Sequence, residues 1–187
     1  TLDHITSKQF ELYGPMGMKD FLLKNKIAFE NIKPLSKSIY QDYPTSLEVE
    51  NILKNLAFKY PKILKLYSIG KSVKGKDLWV MKISRNVEVD DNRPEFKYIA
   101  NMHGDEIAGR ELMLRLIKYL AENDGVDPRI TNLISKYQMH IMPSMNPDGA
   151  DLHRRGNANN ADLNRDFPDF STSDNKNIPD NRQIETR

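Results

Sequence analysis

The chain has 187 residues, 39% of them hydrophobic, with 28 Lys and Arg against 26 Asp and Glu and a formal net charge of +2; that is one domain's worth of sequence with enough apolar content to bury a core. Its charges are interspersed, with no basic block or aromatic-interleaved stripe, which argues against nucleic acid as a partner, and no apolar run approaches the length of a membrane span. The absence of cysteine excludes disulfides and thiolate ligands and leaves His, Asp and Glu for any metal.

Residues 1 to 40 read as an N-terminal extension, helix-like from Met18 to Lys24 and strand-like from Ile27 to Ile32, with Asn25 and Lys26 between. From Tyr43 the pattern sharpens. Thr45, with Glu48 three residues on, has the form of a capping box ahead of Leu47, Ile52, Leu53 and Leu56, so a helix starts there and ends before Pro61. Ile63 to Ile69 reads as a strand, Gly70 to Gly75 as a turn, and Asp77 to Ser84 as the second strand of a β-hairpin with Trp79 in the core.

Phe96 to Met102, FKYIANM, is β-favouring and largely apolar, and is predicted to be a short buried strand. After Gly104 the period changes. Ile107, Leu112, Met113, Leu116, Ile117 and Leu120 share one helical face, with Arg110, Glu111, Arg115 and Lys118 largely off it. His103-Gly104-Asp105-Glu106 therefore lies at the carboxyl end of a strand, the edge at which open α/β sheets bind ligands. His103 and Glu106 can converge on one point across that turn, and an imidazole with a carboxylate suits zinc. Two ligands do not make a site, and His-x-x-Glu by itself also describes an ordinary polar turn.

Asp127 to Ser135 is predicted to be a short helix with Pro128 near its start, and Tyr137 to Met142 a second buried strand. Asn146-Pro147-Asp148-Gly149 follows as a turn, with Pro147 holding one φ and Gly149 free to take a positive one. This turn delivers the next segment to the same sheet edge as His103. That segment, residues 154 to 170 (RRGNANNADLNRDFPDF), is too rich in Asn and Asp for a regular element; taken alone it is a solvated loop.

Three blocks, FKYIANMHGDEIAGRELMLRLIKYL, LYSIGKSVKGKDLWVMKIS and ADLNRDFP, together resemble the zinc metallocarboxypeptidases, in particular the regulatory branch that contains enzymes cutting basic C-terminal residues. The resemblance runs from Tyr43 to Arg187. It implies an α/β fold with a mixed central sheet and flanking helices, Zn2+ as cofactor, and peptide or protein C-termini as substrate. His103 and Glu106 fall at the zinc-ligand positions, Asp162 at that of the carboxylate partner of His103, Arg155 at that of the oxyanion arginine, and Asn164 and Arg165 at those of the clamp on the substrate's terminal carboxylate. Each implied role has a chemical reason. A guanidinium matches a carboxylate fork, so Arg165 with Asn164 would select a free chain end, as an exopeptidase must. Arg155 would stabilise charge developing on the scissile carbonyl oxygen. A metal-bound imidazole commonly donates its other N–H to a carboxylate, the part Asp162 would play.

The resemblance also implies a third ligand, a His downstream of the Asn-Arg pair, and then a capping Tyr and a general-base Glu. After Phe170 the chain runs STSDNKNIPDNRQIETR and supplies none of these. His4 lies in the unmatched extension, His140 inside a strand as a satisfied core residue, and His153 on a loop. The expectation is that residues 41 to 187 are the N-terminal part of a catalytic domain, incomplete at its C-terminus, with an apolar sheet edge exposed and no peptidase activity in isolation. The alternative is a catalytically inactive relative that binds peptide C-termini through Arg155, Asn164 and Arg165. A structural or adhesion domain without a site leaves the shared motif spacing unexplained. Within the extension, MKDFLLKNKIAFENIKPL resembles the end of a procarboxypeptidase pro-segment, against the plainer reading of a segment packed on the domain or mobile. The first residues, TLDHITSKQFELYG, show no signal peptide, while the expected compartment is the secretory pathway or the extracellular space.

Overall fold

The computed structural model describes residues 2–3, 11–12, 18–29, 43–168 and 182–187, and the chain divides into two units, Thr1–Lys37 and Ser38–Arg187. In the smaller unit β1 (Leu2–Asp3) pairs antiparallel with β2 (Glu11–Leu12), and α1 spans Met18–Lys24. Residues 27–29 form no strand; the rest of the strand predicted for Ile27 to Ile32 lies outside the described residues.

In the larger unit the capping box at Thr45 forms as its sequence dictates. The Thr45 side chain accepts from the Glu48 N–H, and the Glu48 carboxylate takes the Thr45 N–H at 2.7 Å, satisfying two donors that a helix start leaves orphaned. This begins α2 (Ser46–Lys59), which buries Val49 and Leu53. Leu47 and Ile52, predicted on the inner face, are exposed. Asp151 holds the Ser46 N–H at 2.9 Å, and the face then turned to the sheet is the four-residue row through Val49 and Leu53.

The hairpin forms from β3 (Leu64–Lys71) and β4 (Asp77–Ile83), antiparallel, with Leu64 opposite Ile83. Its turn closes through Ser72 N–H to Lys76 O at 2.7 Å and needs Gly75, whose φ is +79°. Next come β5 (Glu95–Ile99), α3 (Ile107–Asn123), α4 (Pro128–Lys136) and β6 (Gln138–Met142). β6 lies parallel to β5 and antiparallel to β4, so the four-stranded sheet is mixed, in the order β3-β4-β6-β5. Its core face carries Leu64, Met81, Ile83, Met139 and Ile141, packed against Val49 and Leu53 of α2, Leu114, Ile117 and Leu120 of α3, and Ile134 of α4. Leu78, Val80, Met142 and Met145 form a smaller cluster on the opposite face.

Two further predicted burial patterns are corrected. All five residues of β5 are exposed, Phe96, Tyr98 and Ile99 among them, because among the described strands β5 is outermost and pairs with β6 alone. On α3, Arg110 is buried while Leu112 is exposed; the inner face runs through Ile107, Arg110, Leu114 and Ile117, and the Arg110 guanidinium reaches the Pro44 carbonyl at 2.6 Å. Burial lowers the pKa of that guanidinium. His140 is half-buried on β6, its Nδ1 2.8 Å from the Tyr67 hydroxyl, and burial lowers its pKa as well.

Asp151 ties the start of α2 to the hairpin turn, accepting from Ser46 N–H and hydroxyl at 2.9 and 2.8 Å and from the Lys76 ammonium at 2.6 Å. Burial pushes its carboxyl up, but the bonds from Lys76 and Ser46 outweigh burial and hold it below the usual carboxylate range. A carboxyl whose pKa is lower in the folded than in the unfolded chain stabilises above its unfolded value and loses that contribution as pH falls through the folded one. Asp151→Asn should therefore cost stability at neutral pH and flatten the acid limb below about pH 4. Denaturant unfolding followed by circular dichroism across that range reads it, and parallel acid limbs for variant and parent would contradict the assignment.

Candidate metal centre

β5 and β6 run parallel, so their carboxyl ends emerge side by side, and the two loops that follow are sewn together by backbone bonds. Ala100 N–H donates to Met142 O, Met145 N–H to Ala100 O at 3.0 Å, and Asn146 N–H to Asn101 O at 3.1 Å. Asn101 turns the chain with a φ of +56°, a left-handed conformation that Asn tolerates better than most residues. Its side-chain NH2 faces three carbonyl oxygens, those of His103, Gly104 and Glu106, at 2.8, 3.3 and 3.2 Å. Asn146 does a similar job opposite, its Nδ2 donating to Met102 O at 3.2 Å and Arg155 O at 3.3 Å while its Oδ1 accepts from Gly149 N–H at 2.9 Å.

Asn146 thereby caps α5 (Pro147–Asp151), so Asn-Pro-Asp-Gly is the first turn of a short helix rather than a separate β-turn. Gly149 does not take the positive φ expected of it. What requires glycine there is crowding, since an added Cβ would sit 2.4 Å from the Gly156 carbonyl oxygen. Gly104 is under the same constraint. Its Cβ would meet the backbone at Gly149 C, Ala150 N and Arg154 O, at 2.1, 2.4 and 2.5 Å, and its N–H donates to Arg155 O at 3.2 Å.

This framework brings four of the predicted residues together. The buried His103 ring lies between two carboxylates, Nε2 3.1 Å from Asp162 Oδ1 and Nδ1 2.9 Å from Glu106 Oε1. Asp162 also takes Arg155 Nε at 3.0 Å on Oδ2 and the Asn164 N–H at 3.0 Å on Oδ1. Arg155 Nη1 is 3.8 Å from Glu106 Oε1, which closes the ring of charges. Burial pushes the Asp162 carboxyl up, but the bonds from Arg155, Asn164 and His103 together hold it below the usual carboxylate range.

Asn164 and Arg165 occupy the 3-10 turn Leu163–Arg165 capped by Asp162, both exposed, with Leu163 buried beneath them. The Arg165 guanidinium donates to the Asn164 carbonyl at 2.9 Å, so the structure joins this pair to the cluster through the Asp162 cap. His153 is exposed, with a φ of +50°. Among the described residues no three His, Cys, Asp or Glu side chains form a group suited to an ion; His103 and Glu106 offer two donors.

Sequence reasoning missed the residues that hold this site. Asn157 is fully buried, its Oδ1 accepting from Asn159 and Ala161 N–H at 3.0 Å and its Nδ2 donating to Gln183 Oε1 and Glu185 Oε2 at 2.8 and 3.1 Å. Residues 182–187 thus pin the loop that carries Arg155 and Asp162. For Asn101 there was one signal, a lone amide inside the apolar run YIANM; Asn146 and Asn157 look like any other residue of a polar loop.

The zinc carboxypeptidase family model matches residues 49–186. Human carboxypeptidase D is 50% identical over 174 residues, covering 88% of this chain and 12% of that protein. Carboxypeptidase SOL1 of Arabidopsis thaliana is 44% identical over 168 residues, covering 89% of this chain and 33% of that protein. The chain therefore spans between 12% and 33% of the length of these relatives. Among solved structures, thrombin activatable fibrinolysis inhibitor shares the fold with a TM-score of 0.65 at 22% identity, over 89% of this chain and 48% of that one. Carboxypeptidase A of Helicoverpa armigera gives a TM-score of 0.59 at 25% identity, over 85% and 43%. Among the described residues no helix is long and apolar enough to cross a membrane.

The backbone packing at Gly104 generates its own test. Because the atoms in the way are all main chain, Gly104→Ala should destabilise the chain by about 1–3 kcal/mol or more, the cost of overpacking a site that cannot yield. Gly125→Ala is the comparison, with open space around the added methyl but a φ of +79°, so that only backbone strain of about 1 kcal/mol is expected. Urea unfolding of both variants measures the difference; equal losses would mean that the two loops can separate.

Proposed function

The chain belongs to the zinc carboxypeptidase family, and from that premise we propose that it contributes zinc ligands, a carbonyl-binding arginine and a terminal-carboxylate clamp to an enzyme that releases C-terminal residues from peptides or proteins. The observation that carries this reading is the charged chain from Glu106 through His103 to Asp162 and Arg155, with separations of 2.9, 3.1 and 3.0 Å. Residues 41–187 would form part of the catalytic domain, and residues 1–40 an extension before it.

Zinc fits the donor set. An ionised carboxylate accepts and cannot donate, so with a proton on His103 Nε2 shared with Asp162 the Nδ1 lone pair would be free, beside Glu106, to bind the ion. His103 Nδ1 and Glu106 Oε1 are 2.9 Å apart, near the edge of roughly 3.3 Å of a zinc tetrahedron built on bonds of ~2.0–2.1 Å. His103 and Glu106 would hold the ion, which when bound polarises a carbonyl and makes water nucleophilic near neutral pH. A third ligand and a general base would come from outside the described residues.

The protein's own groups then divide the work. Asp162 holds the ring of His103 in one tautomer and orientation. Arg155 is anchored through Nε on Asp162, which leaves its Nη1 beside Glu106, 3.8 Å away, where it can meet negative charge growing on the scissile carbonyl oxygen. Arg165, with the Asn164 amide beside it, presents paired donors to a free carboxylate and gives the preference for chain ends.

If His103 and Glu106 are ligands, replacing either with Ala in the whole protein should abolish stoichiometric zinc, read by elemental analysis after dialysis. Undiminished zinc in both variants would refute the assignment. The two arginines separate by kinetics. Arg165 meets a carboxylate present in ground and transition states alike, so Arg165→Ala should raise KM and erase discrimination against amidated C-termini. Arg155 meets charge that develops only during the reaction, so Arg155→Ala should lower kcat by roughly a hundredfold or more with KM nearly unchanged. Matching profiles for the two, or an intact preference for free C-termini in Arg165→Ala, would sink the division of roles.

A further inference from the structure

We propose that Asn101 and Ser144 are positioning residues for the metal turn: the Ser144 hydroxyl fixes which end of the Asn101 amide faces residues 103–106, and that amide sets the geometry from which His103 and Glu106 project. The proposal rests on the reading of His103 and Glu106 as zinc ligands. Three carbonyl oxygens converge on Asn101 Nδ2 at 2.8–3.3 Å. Carbonyl oxygens only accept, so the NH2 end of the amide must face them; the flipped amide would set a fourth oxygen against three. Asn101 Oδ1 is then left facing Ser144 Oγ at 2.8 Å, and the hydroxyl must be the donor. Both side chains are buried, at 5% and 8% exposure, so water is a poor substitute for either partner.

The Gly104 N–H on Arg155 O at 3.2 Å ties the turn to the neighbouring loop, and the Asn101 amide shapes it from within. Glu106 is the N-cap of α3, yet its side chain makes no capping bond and is 65% exposed. Its carboxylate is thereby kept for the ion and does nothing to fix its own backbone. What fixes that backbone is the Glu106 N–H on His103 O at 3.1 Å and the Asn101 amide on the carbonyls of His103, Gly104 and Glu106. The left-handed φ of Asn101, +56°, aims the side chain back beneath the turn that follows it. Ser144 reaches it from the loop after β6, so the parallel pair β5 and β6 supplies both halves of the device.

The test measures zinc affinity of the whole protein by competition with a chromophoric chelator, alongside stability in EDTA, for Asn101→Asp, Ser144→Ala, Ser144→Thr and His103→Ala. Asn101→Asp keeps the size and the tolerance of left-handed φ but turns an acceptor toward three carbonyls. It should weaken zinc by about tenfold or more, on the scale of lost outer partners of metal ligands. Ser144→Ala should weaken zinc severalfold, and Ser144→Thr, which keeps the hydroxyl, should bind as the parent does. The serine pair carries the test should Asn101→Asp fail to fold. If His103→Ala weakens zinc while Asn101→Asp and Ser144→Ala lose only stability in EDTA, the positioning role is overturned and the ligand reading survives. Zinc affinity unchanged in His103→Ala would overturn the ligand reading itself, and this proposal with it.

Discussion

The Asp162 carboxylate is the constraint on which the site depends. It accepts from the ring of His103, from Arg155 Nε and from the Asn164 N–H, at 3.1, 3.0 and 3.0 Å. One bond orients an imidazole, the second anchors a guanidinium, and the third starts the turn that displays Asn164 and Arg165. Two loops, the turn of His103 and the loop 59 residues on that carries Arg155 and Asn164, are thus referred to a single anion. That anion stays charged because its three donors outweigh the cost of its burial.

Asp162 can do this only because the backbone brings the loops into contact first. Glycine at 104, 149 and 156 lets main chain approach main chain where a Cβ has no room. Asn146 spans the seam, bonding Met102 O on one side and Arg155 O on the other. The sheet contributes direction: β5 and β6 are its parallel pair, so both loops leave at one edge, the place at which α/β sheets gather ligands. Behind that edge Met139 and Ile141 of β6 are packed against the core, giving the polar loops a rigid base.

Features that depend on neighbours in sequence were legible. The capping box at Thr45, the hairpin around Gly75 and the Asp127-Pro128 start of α4 are each decided within a few residues, where propensity and hydrogen bonding are local. His103 and Glu106 were visible for the same reason, three positions apart across one turn. Arg155 and Asp162 were not readable from periodicity or composition and came through motif resemblance, since the link from His103 to Asp162 spans 59 residues. The exposure of β5, the burial of Arg110 and the true reason for Gly149 depend on which element lies alongside, something a period of two or 3.6 does not encode. Asn101, Asn146 and Asn157 illustrate this most clearly. A polar residue reads as solvated until tertiary structure surrounds it with carbonyls and amides to bond.

The family, the fold and the charged chain through His103 support the same account, in which one face of the imidazole is tied to Asp162 and the other is offered with Glu106 to a cation. The most direct measurement is an anomalous difference map at the zinc edge from crystals of the zinc-loaded whole protein. The account predicts one strong peak between His103 Nδ1 and the Glu106 carboxylate, with Nε2 still on Asp162. A peak at Nε2, or zinc ordered only at some other group of side chains, would contradict it.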